Sequence, residues 1–244
     1  MRRVLRFALC LCLVSMIPLA LCAEDFIAQG NALFDNGKTN IESYKQAGDM
    51  FAKALEAAPT SYEAAWKASR AYRWYADESK KKNAANWKAI CKEYGKIGMK
   101  FGEKAMAINP NGIEGNFWYG CSVGSYSDGV SVLTALKEGL KDKTQSSFEK
   151  SYKIDKNYQD GGPIKALGRF WFVLPWPLQD KKLSMQYLRE YQKAFPNDIE
   201  GQVYLGELLT KTGDKAEAKV ILQKAAAGSD KYYANMAKSL LEDL

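Results

Sequence analysis

The sequence predicts an all-α protein in which pairs of helices are stacked in a row. Three observations lead to this fold class. First, PNGIEGNFWYG at 110–120 and PNDIEGQVYLG at 196–206 agree at six of eleven positions, so the chain repeats itself. Second, a small residue, a large apolar residue four positions on and a small residue three further on recur before a turn. Third, steps of four and three place these residues on one helical face, where small side chains let a neighbouring helix approach.

The first segment, residues 1–23, predicts a secretory signal and no part of the fold. Three arginines precede the uncharged apolar run 7–23, which is shorter than the roughly 20 residues of a spanning helix. Two processing routes remain open. Cleavage after Ala23 gives a soluble protein, whereas LALC resembles a lipoprotein box and leaves an acylated Cys22, although the bulky Leu21 departs from the usual small residue. The expected location is the periplasm, with membrane contact only through a lipid on Cys22.

The remaining residues, 24–244, predict about five helix pairs and a C-terminal capping helix. The predicted repeats are 25–59, 60–110, 111–157, 158–196 and 197–228, with the capping helix at 229–243. The middle repeats span 51, 46 and 40 residues between turns, compared with about 34 in the standard helical repeat of this size class. Their extra residues predict a polar loop at 77–86 and an added helical segment at 126–140.

The last repeat is the clearest. Gly206 lies on the contact face, Gly213 marks the end of one helix and Asp214 is placed to cap the next. The stretch GELLTKTGDKAEAKVILQKA at 206–225 resembles a tetratricopeptide repeat, or TPR. The resemblance implies a right-handed TPR-like α-solenoid in which the first helix of each repeat lines a concave surface.

The composition excludes several function classes. The chain has no histidine, which removes imidazole bases, histidine metal ligands and Ser-His-Asp chemistry. Without the three arginines of the signal, the net charge of +7 falls to +4, and the lysines are scattered, so no nucleic-acid partner is predicted. Cys91 and Cys121 are too few for a disulfide scaffold or a zinc site. A bridge between them stays open beside the favoured interpretation, two small buried residues on neighbouring helices. No metal and no cofactor are predicted.

Aromatic and cationic residues recur at positions that the first helices would turn inward. In the second repeat they fall on one helical stripe. In the fourth repeat, aligning Gly168 with Gly206 turns three further residues inward. The candidate ligand- or partner-binding residues of the two repeats are Trp66, Arg70, Arg73, Trp74, Lys165, Arg169 and Phe172. Guanidinium groups among rings suit an organic anion or a peptide carboxylate. The competing interpretation is that the rings pack between repeats and the arginines reach out to water.

The segment Leu174-Pro175-Trp176-Pro177-Leu178 predicts a stiff corner before a helix capped by Asp180. Either the corner packs against its own array, or Trp176 anchors a partner protein or a second copy of the chain in a homo-oligomer. Both interpretations stay open from the sequence.

The region 161–196 also resembles one repeat of TatT-type proteins, the TPR companions of TRAP transporters for organic acids. The similarity lies in the GGP start at 161–163, the aromatic helix with its glycine, the proline corner and the lysine-rich helix after it. The resemblance implies a non-enzymatic, periplasmic or lipid-anchored protein, trimeric where described. It also implies contact with the soluble substrate-binding protein and an apolar ligand in a cleft or pore.

Three functional hypotheses follow. The leading one is a non-enzymatic periplasmic protein that binds a partner protein, as an accessory component of TRAP-type organic-acid uptake. The alternative is an envelope assembly scaffold that binds extended peptides of outer-membrane or secretion proteins. The third is an enzyme that uses the carboxylates of Glu63 and Glu114. These two acids and Glu200 occupy equivalent early positions, however, where acids ordinarily favour the helix dipole.

Overall fold

The structure is a computed structural model that describes residues 22–244, and the regular structure in this range is helical. The first helix, α1, covers 22–36. The others are α2 (Glu42–Ala57), α3 (Tyr62–Lys81), α4 (Trp87–Ile108), α5 (Ile113–Val130), α6 (Val132–Lys137), α7 (Leu140–Asp155), α8 (Tyr158–Val173), α9 (Lys181–Ala194), α10 (Ile199–Thr212), α11 (Lys215–Ala226) and α12 (Lys231–Glu242). Residues 1–21 of the predicted signal lie outside the described residues. Within 22–244, none of the helices has the length and apolar character needed to cross a bilayer.

The chain divides into two compact units. Unit 1 ends at Gly129 and contains α1 to α4 with nearly all of α5, and unit 2 begins at Val130 and contains α6 to α12. Each unit buries its own apolar side chains. The finer division into five repeats stays a prediction.

Small residues face large ones across helix pairs in both units. Phe51 of α2 is fully buried, and a Cβ atom added to Gly30 of α1 would lie 2.6 Å from its ring. Unit 2 has the same relation twice. A Cβ atom added to Gly168 would lie 2.7 Å from the Leu188 side chain, and one added to Gly206 would lie 2.5 Å from the Leu222 side chain. The predicted pattern of small and large residues is thereby confirmed as helix packing.

A row of glycines in α4 brings the α4 and α5 backbones together. A Cβ atom at Gly95 would lie 2.5 Å from the backbone nitrogen of Tyr126, and one at Gly102 would lie 2.9 Å from Cα of Tyr119. Helix α3 packs at the same place, because Ser69 Oγ of α3 donates a 2.8 Å hydrogen bond to the carbonyl oxygen of Gly98. The backbone of α3, which carries four candidate binding residues, is therefore firmly positioned.

The core of unit 2 lies mainly among α10, α11 and α12. Its fully buried leucines include Leu208, Leu209 and Leu222, and Leu188 of α9 and Phe172 of α8 pack against the same cluster. Burial of a leucine side chain stabilises a fold by about 2 kcal/mol. This packing fixes α8 beside α10, and so sets which side chains meet between them.

Helix α8 begins with an unusual turn. Gln159, Asp160 and Gly161 have φ angles of 50°, 53° and 74°, and the right-handed helix follows from Gly162 and Pro163. Proline suits this first turn because its fixed φ is helical and its missing N–H has no partner there in any helix. The predicted helix start at GGP is thus confirmed.

Three predictions concern the residues at the ends of helices. Asp180 caps α9 by accepting a 2.8 Å hydrogen bond from the Leu183 N–H, as predicted. Gly213 ends α10 with φ 94°, also as predicted. Asp214 precedes α11, but its side chain caps no N–H of that helix; it accepts a bond from Thr212 Oγ1 at 3.1 Å instead. The capping role predicted for Asp214 is therefore wrong.

The polar loop predicted at 77–86 is wrong over its first half, because α3 continues to Lys81. Lys81 Nζ lies 3.0 Å from Asp77 Oδ2 and 3.4 Å from Glu78 Oε1. Opposite charges three and four residues apart stabilise an exposed helix, which explains why this polar run is helical. Part of the segment 126–140 is helical as predicted, in the end of α5 and in the short α6.

The two body cysteines are thiols in the structure. Cys91 is buried and its Sγ donates to the Ala76 carbonyl oxygen at 3.4 Å. Burial, with a smaller contribution from the charge of Asp128, raises the pKa of the Cys91 thiol to about 12. Cys91 is therefore protonated at neutral pH and a poor nucleophile.

Candidate functional site

The four candidate residues of the second predicted repeat all lie on α3. Trp66, Arg70, Arg73 and Trp74 are each half-buried. Their spacing places them on one stripe, and the structure shows their neighbours on that stripe to be side chains of α1 and α2. We call this surface, with Phe34 of α1, the α3 face.

At the centre of the α3 face the guanidinium of Arg70 lies on aromatic rings. Its Cζ atom is 3.9 Å from the centroid of the Phe34 ring and 5.0 Å from that of Trp66. A separation of 3.9 Å is close contact of a planar cation with a ring, which the ring quadrupole favours. Sequence reasoning missed Phe34. The signal for it was present, because α1 is the first helix of the preceding predicted repeat and its aromatic residues could have been aligned with those of α3.

The C-terminal part of the α3 face continues the same chemistry. Trp74 is stacked on Tyr44, with centroids 5.8 Å apart, and it meets Phe34 edge to face at 6.5 Å. Arg73 lies 5.1 Å from the Trp74 ring and its Nη1 is 3.5 Å from Asp77 Oδ2. Rings of three helices therefore surround the cations.

One further cation belongs to this surface and was not predicted. Lys67 Nζ lies 2.5 Å from Glu63 Oε1 and donates a 2.9 Å hydrogen bond to Asn31 Oδ1 of α1. The ammonium also lies 5.6 Å from the Trp66 ring. Lys67 lies four residues after Glu63 and three before Arg70, so the spacing of threes and fours was a signal for it that sequence reasoning left unused.

The candidate residues of the fourth predicted repeat lie on α8, in unit 2. Lys165 Nζ lies 2.6 Å from Glu200 Oε2 and 3.4 Å from Asp198 Oδ2, both next to the start of α10. Burial alone would lower the pKa of Lys165, but the two carboxylates outweigh it and the pKa is raised. For Glu200, burial would raise the pKa, while Lys165 and the hydroxyls of Tyr233 and Tyr204 hold it at about 2. Both groups are therefore charged throughout the physiological pH range.

Arg169, one turn further along α8, pairs with the same neighbouring helix. Its Nη1 donates a 2.6 Å hydrogen bond to Glu207 Oε2, and its Cζ lies 4.6 Å from the ring of Tyr204 and 5.4 Å from that of Phe172. Phe172 itself is buried in the core of unit 2. We call Lys165, Arg169 and their α10 carboxylates the α8–α10 network.

The α3 face and the α8–α10 network belong to different units. The structure brings Trp66, Arg70, Arg73 and Trp74 together within unit 1, and Lys165, Arg169 and Phe172 together within unit 2. The expectation that all seven residues line one concave surface stays a prediction.

The proline corner has a defined conformation. Trp176 is 89% exposed, and the peptide bond between Trp176 and Pro177 is cis. The segment is held by hydrogen bonds from Gln179 Nε2 to the Phe172 carbonyl oxygen (2.5 Å) and from the Asp180 N–H to that of Trp171 (3.1 Å). Trp176 therefore projects from a braced turn.

The structure also describes the surroundings of Cys22, Glu63 and Glu114. Cys22, the predicted lipidation site, is exposed at the start of α1. Glu63 pairs with Lys67, and Glu114 accepts a 3.0 Å hydrogen bond from the Tyr62 hydroxyl. Within residues 22–244, the acidic and cysteine side chains form no cluster of three or more that could hold a metal ion.

Comparison with known structures defines the class of protein. A TPR protein from Thermus thermophilus, TTC0263, aligns with a TM-score of 0.59 over 90% of this chain and 99% of its own, at 16% identity. PilF of Pseudomonas aeruginosa aligns with a TM-score of 0.60 over 93% and 86%, at 14% identity. YrrB, a TPR protein described as having an unusual peptide-binding site, aligns with a TM-score of 0.51 over 90% and 91%, at 13% identity. The chain is thus a helical protein of the TPR-like α-solenoid class, as the sequence predicted.

Sequence comparison is more specific. Residues 26–174 match the family described as regulator of microtubule dynamics protein 1-3, and the chain belongs to that family. The matched range includes the whole α3 face and ends with α8. A search of curated proteins gives no match to this sequence.

Proposed function

We propose that this chain is a non-enzymatic protein that binds a partner protein through the α3 face of unit 1, where it recognises a carboxylate of the partner. The observation that carries the proposal is the position of Arg70, half-buried with its guanidinium 3.9 Å from the Phe34 ring and 5.0 Å from the Trp66 ring.

The chemistry of this arrangement suits a carboxylate with an apolar portion. A guanidinium stacked on a ring directs its N–H groups outward in its own plane, so stacking is compatible with paired hydrogen bonds to a carboxylate. The half-buried indoles of Trp66 and Trp74 add apolar surface beside it, and aromatic and arginine residues dominate the energetics of interfaces. In unit 2 the ion pairs of Lys165 and Arg169 join α8 to α10, so we assign these two residues a structural role.

The partner that we propose is the soluble substrate-binding component of a TRAP-type organic-acid transporter in the periplasm. The export signal predicted at 1–23 and the TatT-like features of 161–196 support this assignment. The family name refers to microtubule dynamics, but an exported chain would meet envelope proteins instead. A small organic anion could reach the same arginine, because the recognised group is the same.

The alternative is a scaffold that binds extended peptides of an envelope assembly. The structural similarity to YrrB, described as carrying a peptide-binding site, is the observation that favours it, although that similarity concerns the fold. Under this alternative, immobilised peptides bind in a sequence-specific manner and small carboxylic acids have no effect.

The experiment is a pull-down from periplasmic extract with the exported protein as bait, followed by mass spectrometry and by titration calorimetry with the purified partner. We expect the TRAP substrate-binding protein to be recovered by the wild type, and Arg70→Ala to weaken its affinity at least tenfold, since a charge-assisted hydrogen bond contributes about 2 kcal/mol. Arg189→Ala is the matched control, because Arg189 is an exposed cation on α9 that pairs with Glu217. Recovery of envelope-assembly proteins alone would remove the TRAP assignment. Equal effects of the two variants would remove the α3 face as the binding surface.

A further inference from the structure

Three large exposed apolar side chains of unit 2 lie at one end of its helices, while Ile154 and Val220 are exposed elsewhere on α7 and α11. Trp176 and Leu178 of the proline corner are 89% and 41% exposed, and Leu133 of α6 is 59% exposed. Isolated exposed apolar residues are normal in soluble proteins. Three in the connections at one end of a unit call for an explanation.

The packing of α7 against α8 shows that Leu133 and Trp176 lie at the same end of unit 2. Helices α7 and α8 are joined by a short turn and pack against each other, so the start of α7 lies beside the end of α8. Lys141 Nζ at the start of α7 is accordingly 5.9 Å from the ring of Trp171 near the end of α8. Leu133 lies on α6, which leads into α7, and Trp176 follows α8.

The connection between α10 and α11 belongs to the same end. Lys181, which follows the corner, donates a 3.5 Å hydrogen bond to the carbonyl oxygen of Lys211 at the end of α10. We define the unit 2 rim as the three segments 132–143, 174–182 and 211–215. All three lie within unit 2.

Lysines are frequent in the same three segments as these apolar side chains. Its segments contain seven lysines and four carboxylates, a net charge of +3. Lys137, Lys181 and Lys182 are exposed close to Leu133 and Trp176 in sequence. One of the carboxylates, that of Asp180, is turned to the Leu183 N–H at the start of α9. The exposed chemistry is therefore a tryptophan and two leucines among cations.

We propose that the unit 2 rim docks on a bilayer surface that contains anionic lipids. An indole with an apolar body and an N–H group prefers the headgroup level of a membrane, and lysines beside it meet the negative surface potential. A bilayer accommodates separated, projecting anchors without a complementary shape. A protein interface instead needs roughly 800 Å² of contiguous, well-packed surface on each partner, whereas the exposed apolar residues of the rim are three side chains in two of its segments.

The braced conformation of the corner supports this role. The hydrogen bonds from Gln179 and Asp180 to the end of α8 hold Trp176 outward in the unbound protein. Little conformational entropy is then lost when the indole enters the interface. This membrane contact is separate from the lipid that the sequence predicts on Cys22, and from the α3 face.

The test uses the exported, processed protein in a Cys22→Ala background, so that no acyl chain is attached at that position. Its partitioning is measured by flotation with vesicles of phosphatidylcholine containing about 30% phosphatidylglycerol, and with vesicles of phosphatidylcholine alone. We expect binding to the anionic vesicles, about tenfold weaker binding for Trp176→Ala and about fivefold weaker binding for Lys181→Glu combined with Lys182→Glu. Val220→Ala is the matched control, because Val220 is 66% exposed on α11, outside the rim.

A second measurement does not depend on a loss of binding. Lipids brominated near the headgroup should quench part of the wild-type tryptophan fluorescence on anionic vesicles, and Trp176→Phe should abolish that quenching. Absence of binding to either vesicle type overturns the proposal, as does binding that Trp176→Ala leaves unchanged. If neither vesicle type binds, an acidic protein would be the alternative partner of the unit 2 rim. Partner binding through the α3 face is unaffected by Trp176→Ala, so the two proposals fail independently.

Discussion

The α3 face and the α8–α10 network were predicted from the same kind of sequence pattern, but their cations make different contacts in the structure. Both place arginine or lysine beside aromatic residues on a helix that the sequence predicts to face inward. On the α3 face Arg70 lies on the ring of Phe34, whereas in unit 2 Lys165 and Arg169 lie against carboxylates of the neighbouring helix.

The difference lies in the helix that each surface meets. The α3 face meets α1 and α2, which offer Phe34 and Tyr44 to it, while α8 meets α10, which offers Glu200 and Glu207. On the α3 face the ion pairs Lys67–Glu63 and Arg73–Asp77 form within α3, whereas those of Lys165 and Arg169 join α8 to α10. We therefore regard the α8–α10 network as a brace between helices and the α3 face as the surface for recognition.

The largest expected effect comes from removing the centre of the brace. Glu200→Ala should lower the free energy of unfolding by about 3 kcal/mol, because Lys165, whose side chain is only 19% exposed, then keeps only the longer 3.4 Å contact with Asp198 of these two carboxylates. Glu63→Ala on the α3 face should cost less than about 0.5 kcal/mol, since that carboxylate is 53% exposed. Urea unfolding followed by circular dichroism measures both. Equal losses would show that the two surfaces do not differ in this way.

The next largest effect is that Glu200 of the α8–α10 network makes the free energy of unfolding depend on pH. The pKa of Glu200 is lowered from 4.5 to about 2 in the folded protein, so its contribution is complete above about pH 4.5 and is lost as the pH falls towards 2. We expect Glu200→Gln to remove about 2 kcal/mol of the acid destabilisation between these pH values. Urea midpoints measured at about pH 5, 4 and 3 test this. The same slope in the variant and the wild type would contradict it.

A smaller effect is expected for the outer pair of the network. A double-mutant cycle with Arg169→Ala and Glu207→Ala should give a coupling energy of about 1 kcal/mol, because both side chains remain partly exposed. The coupling should decrease in about 0.5 M salt. Independence of the two substitutions would mean that the 2.6 Å contact contributes nothing to stability.

The smallest effect concerns the stacked guanidinium. Arg70→Lys keeps the charge but loses the planar contact with Phe34 at 3.9 Å, so unfolding should become easier by about 0.5 kcal/mol. The difference in unfolding free energy between this variant and the wild type should change very little with salt, since stacking depends on contact more than on long-range charge. Thermal melts at two salt concentrations provide the measurement. A loss above about 2 kcal/mol would assign Arg70 to the core instead of the recognition surface.

Much of the fold could be predicted because its rules are local. The pairing of Gly206 with Leu222 and the end of α10 at Gly213 follow from small–large spacing and from the freedom of glycine at φ 94°. The extension of α3 to Lys81 was missed because a run of charged residues resembles a loop until its pairs four apart are considered. Asp214 shows a similar limit, since a capping residue in the right place can bond elsewhere.

The candidate residues themselves were found, but their partners were not. The alignment of Gly168 with Gly206 that singled out Arg169 also places Glu207 at the equivalent position one repeat later. Opposite charges at equivalent positions of successive first helices were thus a signal for the α8–α10 network that was left unused. Whether a cation meets a ring or a carboxylate depends on how neighbouring helices are aligned, and spacing within one helix carries no information about that alignment.

The contacts of Gly30 with Phe51, Gly168 with Leu188 and Gly206 with Leu222 have an evolutionary consequence. In each pair a methyl group on the glycine would come within 3 Å of a buried side chain on the other helix, so that side chain would have to shift. A lineage that acquires alanine at the glycine must therefore move the opposing side chain or replace it with a smaller one. Among related sequences these pairs should vary together or not at all, and the few exceptions would mark repeats whose helices have moved apart.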